Sequence, residues 1–200
     1  MKHIALAGIL LTALLALTLG GCSKEKKKPS AAEMMAVQMH AQKQWRRART
    51  TEAIDQMDKI YKAAAVYYQT PKIDRNGVKL PCQVPRSQGV TPVEGTCCLS
   101  LGGPDHDDDG RCDMTDDYWD EETWSALNFQ LNDQHYFVYS FYSNGLTGAD
   151  TIFTIQANAD LDCDGIQSTF QRLGFGDPNA TMAECALQGS AAFYIENETE

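Results

Sequence analysis

The sequence predicts an α+β fold in which a long N-terminal α-helix packs on an antiparallel β-sheet and disulfides stabilise the loops. Three observations support this fold class. Residues 31–69 lack Gly and Pro and are rich in helix formers. Segments that alternate between apolar and polar residues follow between positions 135 and 196, and six cysteines lie between positions 82 and 185. Because the helix precedes the strands as a separate run, it is expected to cover one face of the sheet.

The helix is predicted to span residues 31–69 and to end before Pro71. Its second half carries an apolar stripe that needs a sheet or another helix to cover it, formed by Ile54, Met57, Tyr61, Ala64 and Tyr68. Thr50 and Thr51 precede Glu52 and mark a position at which the helix could break. The first half is more polar and is expected to extend from the body.

Residues 71–118 are predicted to form a cysteine-rich loop, and residues 135–196 a β-meander. A short helix is expected between them, at residues 123–127, behind three acidic residues. Two strands have clear faces. In the first, Phe137, Tyr139 and Phe141 share one side; in the second, Phe153, Ile155, Ala157 and Ala159 do. The domain is therefore predicted to cover residues 31–200.

Residues 1–21 have the layout of a secretory signal peptide. Lys2 precedes an apolar run, and Gly20 and Gly21 precede Cys22. This segment resembles the signal and lipobox of bacterial lipoproteins, which implies cleavage before Cys22 and a covalent diacylglycerol on its thiol. Ser23 after the cysteine resembles lipoproteins of the outer membrane. The alternative is a retained membrane helix, although the run is short for crossing a bilayer, which takes about 20 residues.

Charge is distributed unevenly along the chain. Residues 22–49, which include a predicted tether at 22–30, carry eight cations and two acids, whereas residues 50–200 carry eight cations and 25 acids. The basic part is interpreted as a solvated tether or as a segment that lies along anionic lipid. The acidic body argues against a nucleic-acid partner.

Cysteine usage supports export to an oxidising compartment. If Cys22 is acylated, an even number of cysteines remains: Cys82, Cys97, Cys98, Cys112, Cys163 and Cys185. Three disulfides are predicted, with Cys163 paired to Cys185 and the other four paired among themselves. A zinc site formed by those four is the alternative, although no CxxC pair is present.

Two loops match the calcium-binding pattern DxDxDG. The first has Asp105, Asp107 and Asp109, with Asp113 and Asp116 at the ninth and twelfth loop positions. The second has Asp160, Asp162 and Asp164. Alternate carboxylates around a turn supply the oxygen ligands that Ca²⁺ prefers. The alternatives are a solvated acidic loop for the first segment and a β-hairpin turn for the second.

The segment RTTEAIDQMDKIYKAAAVYYQTP resembles the second half of the spine helix of type IV pilins and pseudopilins. The segments WSALNFQLNDQHYFVYSF, ADLDCDGIQSTFQRLGFGD and GSAAFYIENETE resemble the globular part of pilin-like proteins of the myxobacterial kind. The resemblance implies an envelope protein with a pilin-like domain. The chain departs from pilins before this point, because residues 31–50 contain Gln, Lys, Arg and His where pilins carry an apolar helix.

These observations predict a lipid-anchored structural or interaction protein of the cell envelope, related to a pilus, a secretion system or surface adhesion. Its expected partners are the membrane and other pilin-like subunits or an envelope apparatus. A calcium-dependent extracellular binding module or adhesin is the alternative. A secreted hydrolase that uses His135 near Asp133 is disfavoured, since the chain lacks a GxSxG motif. The protein is therefore not expected to be an enzyme.

Overall fold

The computed structural model describes residues 28–180, 185–190 and 192–200. The predicted signal peptide and Cys22 lie outside this part of the chain. The first element, α1, is a 39-residue helix that spans Ala31–Gln69, the bounds that the sequence predicts. It begins with a capping box, in which the Ser30 hydroxyl accepts from the Glu33 amide at 3.2 Å and the Glu33 carboxylate accepts from the Ser30 amide at 2.6 Å.

The helix α1 is continuous through Thr50 and Thr51, so the break considered from the sequence is absent. The Thr50 hydroxyl donates to the Arg47 carbonyl at 2.8 Å, one turn back in the same helix. This bond satisfies the hydroxyl without interrupting the helix, since a Thr side chain in a helix can bond a preceding carbonyl. The first and second halves of α1 therefore form one element.

An antiparallel six-stranded sheet follows α1, as predicted. Its strands are β1 (Gln88–Thr91), β2 (Val138–Ser143), β3 (Ile152–Ala159), β4 (Ser168–Gly176), β5 (Leu187–Gly189) and β6 (Tyr194–Glu196). The order is β1-β2-β3-β4, and both short C-terminal strands pair with β4. The strand β1 lies inside the segment predicted to be an irregular loop, so that prediction was incomplete. With only four residues, β1 lacks the length that reveals alternation.

The core lies between the second half of α1 and one face of the sheet. The residues predicted to share a face of β2 and β3 are buried, including Phe137, Tyr139, Phe141, Phe153 and Ile155. On α1, the buried row is Ala53, Met57, Ile60, Ala64 and Tyr68. The predicted stripe was therefore partly wrong, because Ile54 is 37% exposed and Tyr61 is half-buried. Ala53 is fully buried in the position where the stripe had placed Ile54.

A half-buried carboxylate fixes α1 to the sheet. Glu52 accepts hydrogen bonds from the backbone amides of Tyr136 at 3.1 Å and Phe137 at 3.3 Å, and from the Tyr139 hydroxyl at 3.3 Å. Burial raises the pKa of Glu52 above its ordinary value. The three donors replace the water that the carboxylate loses, so the helix and β2 have a defined register.

A second, short helix, α2 (Glu122–Leu127), closes the far side of the core where the sequence predicts a helix. Trp124 on α2 is fully buried, and its indole nitrogen donates to the Thr91 hydroxyl at 2.8 Å. Trp119 packs edge-on against it, with ring centroids 5.5 Å apart. The bond from Trp124 satisfies the polar atom of an otherwise apolar ring and ties α2 to β1.

Three disulfides are present, as predicted, and they join Cys82 to Cys185, Cys97 to Cys112 and Cys98 to Cys163. The predicted Cys163–Cys185 pair was wrong, and so was the prediction that the other four cysteines pair among themselves, because only Cys97 and Cys112 do. Cys163 precedes β4 and Cys185 follows it, and β4 has nine residues. At about 3.3 Å per residue the two cysteines are roughly 30 Å apart, well beyond the reach of a disulfide. The zinc alternative was also wrong, because the four sulfurs concerned are all oxidised.

We expect Gly174→Ala to lower the free energy of unfolding by about 1–3 kcal/mol. A Cβ at this position of β4 would lie 2.2 Å from Cζ of Phe153, whose ring is fixed in the core. Gly89→Ala in β1 is the matched control, since its Cβ would meet nothing within 4 Å. Urea unfolding of both variants measures the difference. Equal stability of the two variants would contradict this account of the core.

Candidate metal centre

The two predicted acidic loops have the same hydrogen-bond pattern. In the first acidic loop (105–110), the Asp105 carboxylate accepts from the Asp109 amide at 3.2 Å and the Gly110 amide at 2.8 Å. In the second acidic loop (160–165), the Asp160 carboxylate accepts from the amides of the fifth and sixth loop residues at 3.1 and 2.7 Å. The first aspartate of each loop therefore holds the turn closed.

The backbone of the two loops also agrees at the fourth and sixth positions. The fourth loop residue has a positive φ in both, at 58° for Asp108 and 59° for Cys163. The sixth has φ of 77° at Gly110 and 95° at Gly165. Glycine takes such angles at little cost, which explains its presence at the sixth position. The repeated DxDxDG sequence thus encodes one local structure twice.

In each loop, three carboxylates converge. Oxygens of Asp105, Asp107 and Asp109 all lie within 4.8 Å of one another, and the same holds for Asp160, Asp162 and Asp164. The first aspartate of each trio is buried, with 1% and 4% of its surface exposed. Three oxygen donors so arranged suit a hard cation such as Ca²⁺ better than Zn²⁺, which prefers nitrogen and sulfur ligands.

The pKa values of Asp107 and Asp109 in the first acidic loop are shifted in opposite directions. Partial shielding from water and the neighbouring charges of Asp109 and Asp113 raise the pKa of Asp107. The Arg111 guanidinium forms an ion pair with Asp109, and this hydrogen bond lowers the pKa of Asp109. One arginine thus offsets part of the repulsion within the trio.

The second acidic loop is in contact with α1. Arg46 forms an ion pair with Asp162, and Arg49 donates from Nη1 to the Leu161 carbonyl at 3.2 Å. The Arg49 guanidinium is also stacked between the rings of Trp45 and Tyr136, 3.2 and 4.0 Å from their centroids. These contacts lie at the point where α1 leaves the head, so the loop and the helix junction form one surface.

The structure does not bring Asp113 into the three-carboxylate group of the first loop. Its carboxylate accepts from the His106 amide at 2.8 Å and the Gln134 side chain at 2.6 Å. These hydrogen bonds, of which the one from Gln134 has the largest effect and those from His106 come next, lower the pKa of Asp113 to about 2. Asp116 begins a 3₁₀ turn, Asp116–Trp119, and its side chain lies outside the described part of the structure.

Disulfides join the two acidic loops through the adjacent residues Cys97 and Cys98. Cys97 is bonded to Cys112, just after the first loop, and Cys98 to Cys163, inside the second. The sequence-based pairing missed this link. The adjacency of the two cysteines was the available signal, because neighbouring cysteines in an ordinary chain pair with distant partners rather than with each other. The same vicinal pair therefore fixes both loops.

His135, the residue considered for catalysis, is buried beside Trp119 with ring centroids 5.9 Å apart. Its Nδ1 contacts the backbone carbonyl of Asp133 at 3.3 Å rather than the Asp133 carboxylate. Burial lowers the pKa of His135 to about 4. The hydrogen-bonded carboxylate–imidazole pair of a catalytic triad is thus not formed by these two residues.

Among residues 28–180, 185–190 and 192–200, no helix combines the length and the hydrophobicity that a membrane crossing requires. The three disulfides indicate that the head folds in an oxidising compartment outside the cytoplasm. Comparison of the chain with protein-family models, with curated proteins and with solved structures finds no match.

We expect the stability of the protein to fall as the pH is lowered from about 6.5 to 4, partly because of His135. Its pKa is lowered to about 4 in the folded state, so the unfolded state binds more protons in this window and protonation favours unfolding. Between pH 7 and pH 4.5 the wild type should lose about 2 kcal/mol more than His135→Gln. Glu52, whose raised pKa acts in the opposite direction, contributes equally to both proteins.

Denaturant unfolding at the two pH values measures this difference. His40→Gln is the control, because His40 lies exposed on α1 and its variant should follow the wild type. If His135→Gln loses as much stability as the wild type, the buried imidazole is not the titrating group.

Proposed function

We propose that this protein is a lipid-anchored structural or interaction component of a bacterial cell envelope, with a pilin-like head. The observation that carries the proposal is the arrangement of α1. Its second half packs on an antiparallel sheet, whereas nearly all of its first half is exposed and projects from the head. A long helix that is part stalk and part core, followed by a β-meander, is the layout that the sequence resemblance to pilins implies.

The character of the stalk favours a lipid over a buried spine as the anchor. Lys43 and Arg47 are exposed on the first half of α1. Burying such cations in the dry centre of a filament would cost several kcal/mol each. An acyl chain on Cys22 would attach the protein to a membrane without that cost, since each buried CH₂ of a lipid contributes about 0.8 kcal/mol.

The partners we propose are the membrane, and other pilin-like subunits or an envelope apparatus. The head carries 25 acids against eight cations between residues 50 and 200, which disfavours nucleic acid. The disulfide-linked loops support a role outside the cytoplasm. The proposed location is the envelope, at the outer membrane if the organism has two membranes.

Metabolic labelling with a fatty-acid analogue tests the anchor. We expect the label on the wild-type chain and its loss in Cys22→Ser, because the thiol is the proposed acceptor. Ser23→Ala is the matched control and should keep the label. Mass spectrometry of the mature N-terminus should find a diacylglyceryl-modified Cys22. An unmodified Cys22 thiol with residues 1–21 still attached would refute the proposal.

A second function, calcium-dependent binding, is favoured by the two matching acidic loops. In each loop three carboxylates come within 4.8 Å of one another. Asp105, Asp107 and Asp109 would hold one ion, and Asp160, Asp162 and Asp164 another. Neither trio includes the bidentate glutamate of an EF-hand, so we expect affinity in the range of extracellular modules, about 10⁻⁴–10⁻³ M. The ions would set the shape of the surface near the helix junction.

Calorimetry and thermal unfolding with millimolar CaCl₂ or chelator test calcium binding. At about 10 mM CaCl₂, which is 10 to 100 times the expected dissociation constant, each occupied site should stabilise the protein by about 1.4–2.7 kcal/mol and raise the melting temperature by several degrees. Asp107→Asn and Asp162→Asn should each reduce this shift. Asp55→Asn removes an exposed carboxylate elsewhere on α1 and is the control. An unchanged melting temperature with no heat of binding would exclude this function.

A further inference from the structure

A row of apolar side chains follows the exposed first half of α1. We call it the stalk stripe; it consists of Met34, Val37, Ala41, Trp45 and Ala48. Its three large members, Met34, Val37 and Trp45, are 50%, 69% and 58% exposed. Spacings of three and four residues place all five on one side of the helix. A continuous exposed row of this kind usually marks an interaction surface.

Most of the stalk stripe faces away from the head; Trp45, at its C-terminal end, contacts the helix junction through Arg49. The buried row of α1 continues along the same helix as Ala53, Met57, Ile60 and Ala64. At about 100° per residue, the stripe lies well over a quarter turn around the axis from that row. The sheet therefore leaves the stripe open to a broad, flat surface, with the head about a third of a turn away around the helix axis.

The charges near the stripe favour anionic lipid as that surface. Lys24, Lys26, Lys27 and Lys28 directly precede α1, and the proposed anchor at Cys22 is nine residues before its first residue. Nine extended residues span at most about 30 Å, so an acylated Cys22 keeps the stripe close to the bilayer. Each lysine near an anionic surface adds to the electrostatic attraction. Parallel packing against a second copy of the stalk would instead place these lysines close to the same lysines of the other copy, where like charges repel.

We propose that the stalk stripe lies in the headgroup region of an anionic bilayer, so that the first half of α1 is an interfacial helix. This inference rests on the lipid anchor proposed above. Trp45 fits this position because tryptophan is enriched at the membrane–water interface. The acidic head is repelled by the anionic surface and is held on the side of α1 that points to water.

The tryptophans allow a direct test. Of the three in the chain, Trp119 and Trp124 are buried in the head, with 4% and 0% exposure, whereas Trp45 is exposed. The acylated protein is reconstituted on vesicles of phosphatidylglycerol and phosphatidylethanolamine with brominated acyl chains. We expect a blue shift and quenching of the Trp45 emission, defined as the difference between wild type and Trp45→Phe.

Two methionines provide matched variants. Met34 lies on the stripe and Met39 on the side of α1 that faces the head, and they are 50% and 59% exposed. Met34→Glu should abolish most of the quenching, because it places a negative charge against anionic lipid. Met39→Glu makes the same chemical change away from the bilayer and should leave the quenching unchanged. Equal effects of the two variants would overturn the proposed orientation.

The remaining outcomes separate this inference from the anchor. In one outcome, the acylated protein binds the vesicles, but Trp45 is quenched by aqueous iodide and not by brominated lipid. This result contradicts the interfacial helix and leaves the anchor intact. Shielding of Trp45 together with dimers in sedimentation would assign the stripe to a second copy and also overturn the inference. A chain without an acyl group, shown by mass spectrometry, contradicts both proposals.

Discussion

The apolar contact between the second half of α1 and the sheet is the constraint on which the rest of the molecule depends. Four fully buried helix residues, Ala53, Met57, Ile60 and Ala64, meet a sheet face filled with aromatic rings. The Glu52 carboxylate adds direction, since its three hydrogen bonds allow only one register between helix and strand. This contact fixes where the free part of α1 leaves the head and therefore which of its sides remains open.

The acidic loops depend on the same contact. The second acidic loop contacts Arg46 and Arg49, at the point where α1 leaves the head. The first acidic loop is joined to the second through Cys97 and Cys98. Two concentrations of negative charge are thus held at one region of the head by covalent bonds and by cations of α1. Within each loop, the amides that donate to the first aspartate oppose the repulsion between carboxylates that lie within 4.8 Å of one another.

Local patterns in the sequence predicted most of the fold. The absence of Gly and Pro predicted α1, and alternation predicted the buried faces of β2 and β3, because both signals depend on residues close in the chain. The disulfide pairing and the position of Asp113 could not be predicted in this way. Cys163 is about one strand length from Cys185, and Asp113 is held by Gln134, 21 residues away. The disulfide pairing and the contacts of Asp113 depend on tertiary geometry, which the spacing of residues in the sequence does not reveal.

The adjacency of Cys97 and Cys98 has a consequence for how the chain matures. If a reductant opened the Cys97–Cys112 bond, the Cys97 thiolate would lie beside the Cys98–Cys163 disulfide, and its attack on the Cys163 sulfur would form Cys97–Cys163 and release Cys98 as the thiolate. Such exchange needs a free thiol, so it stops once all six cysteines are oxidised. The vicinal pair therefore makes the native pairing depend on complete oxidation, which is a demand on the compartment in which the chain matures.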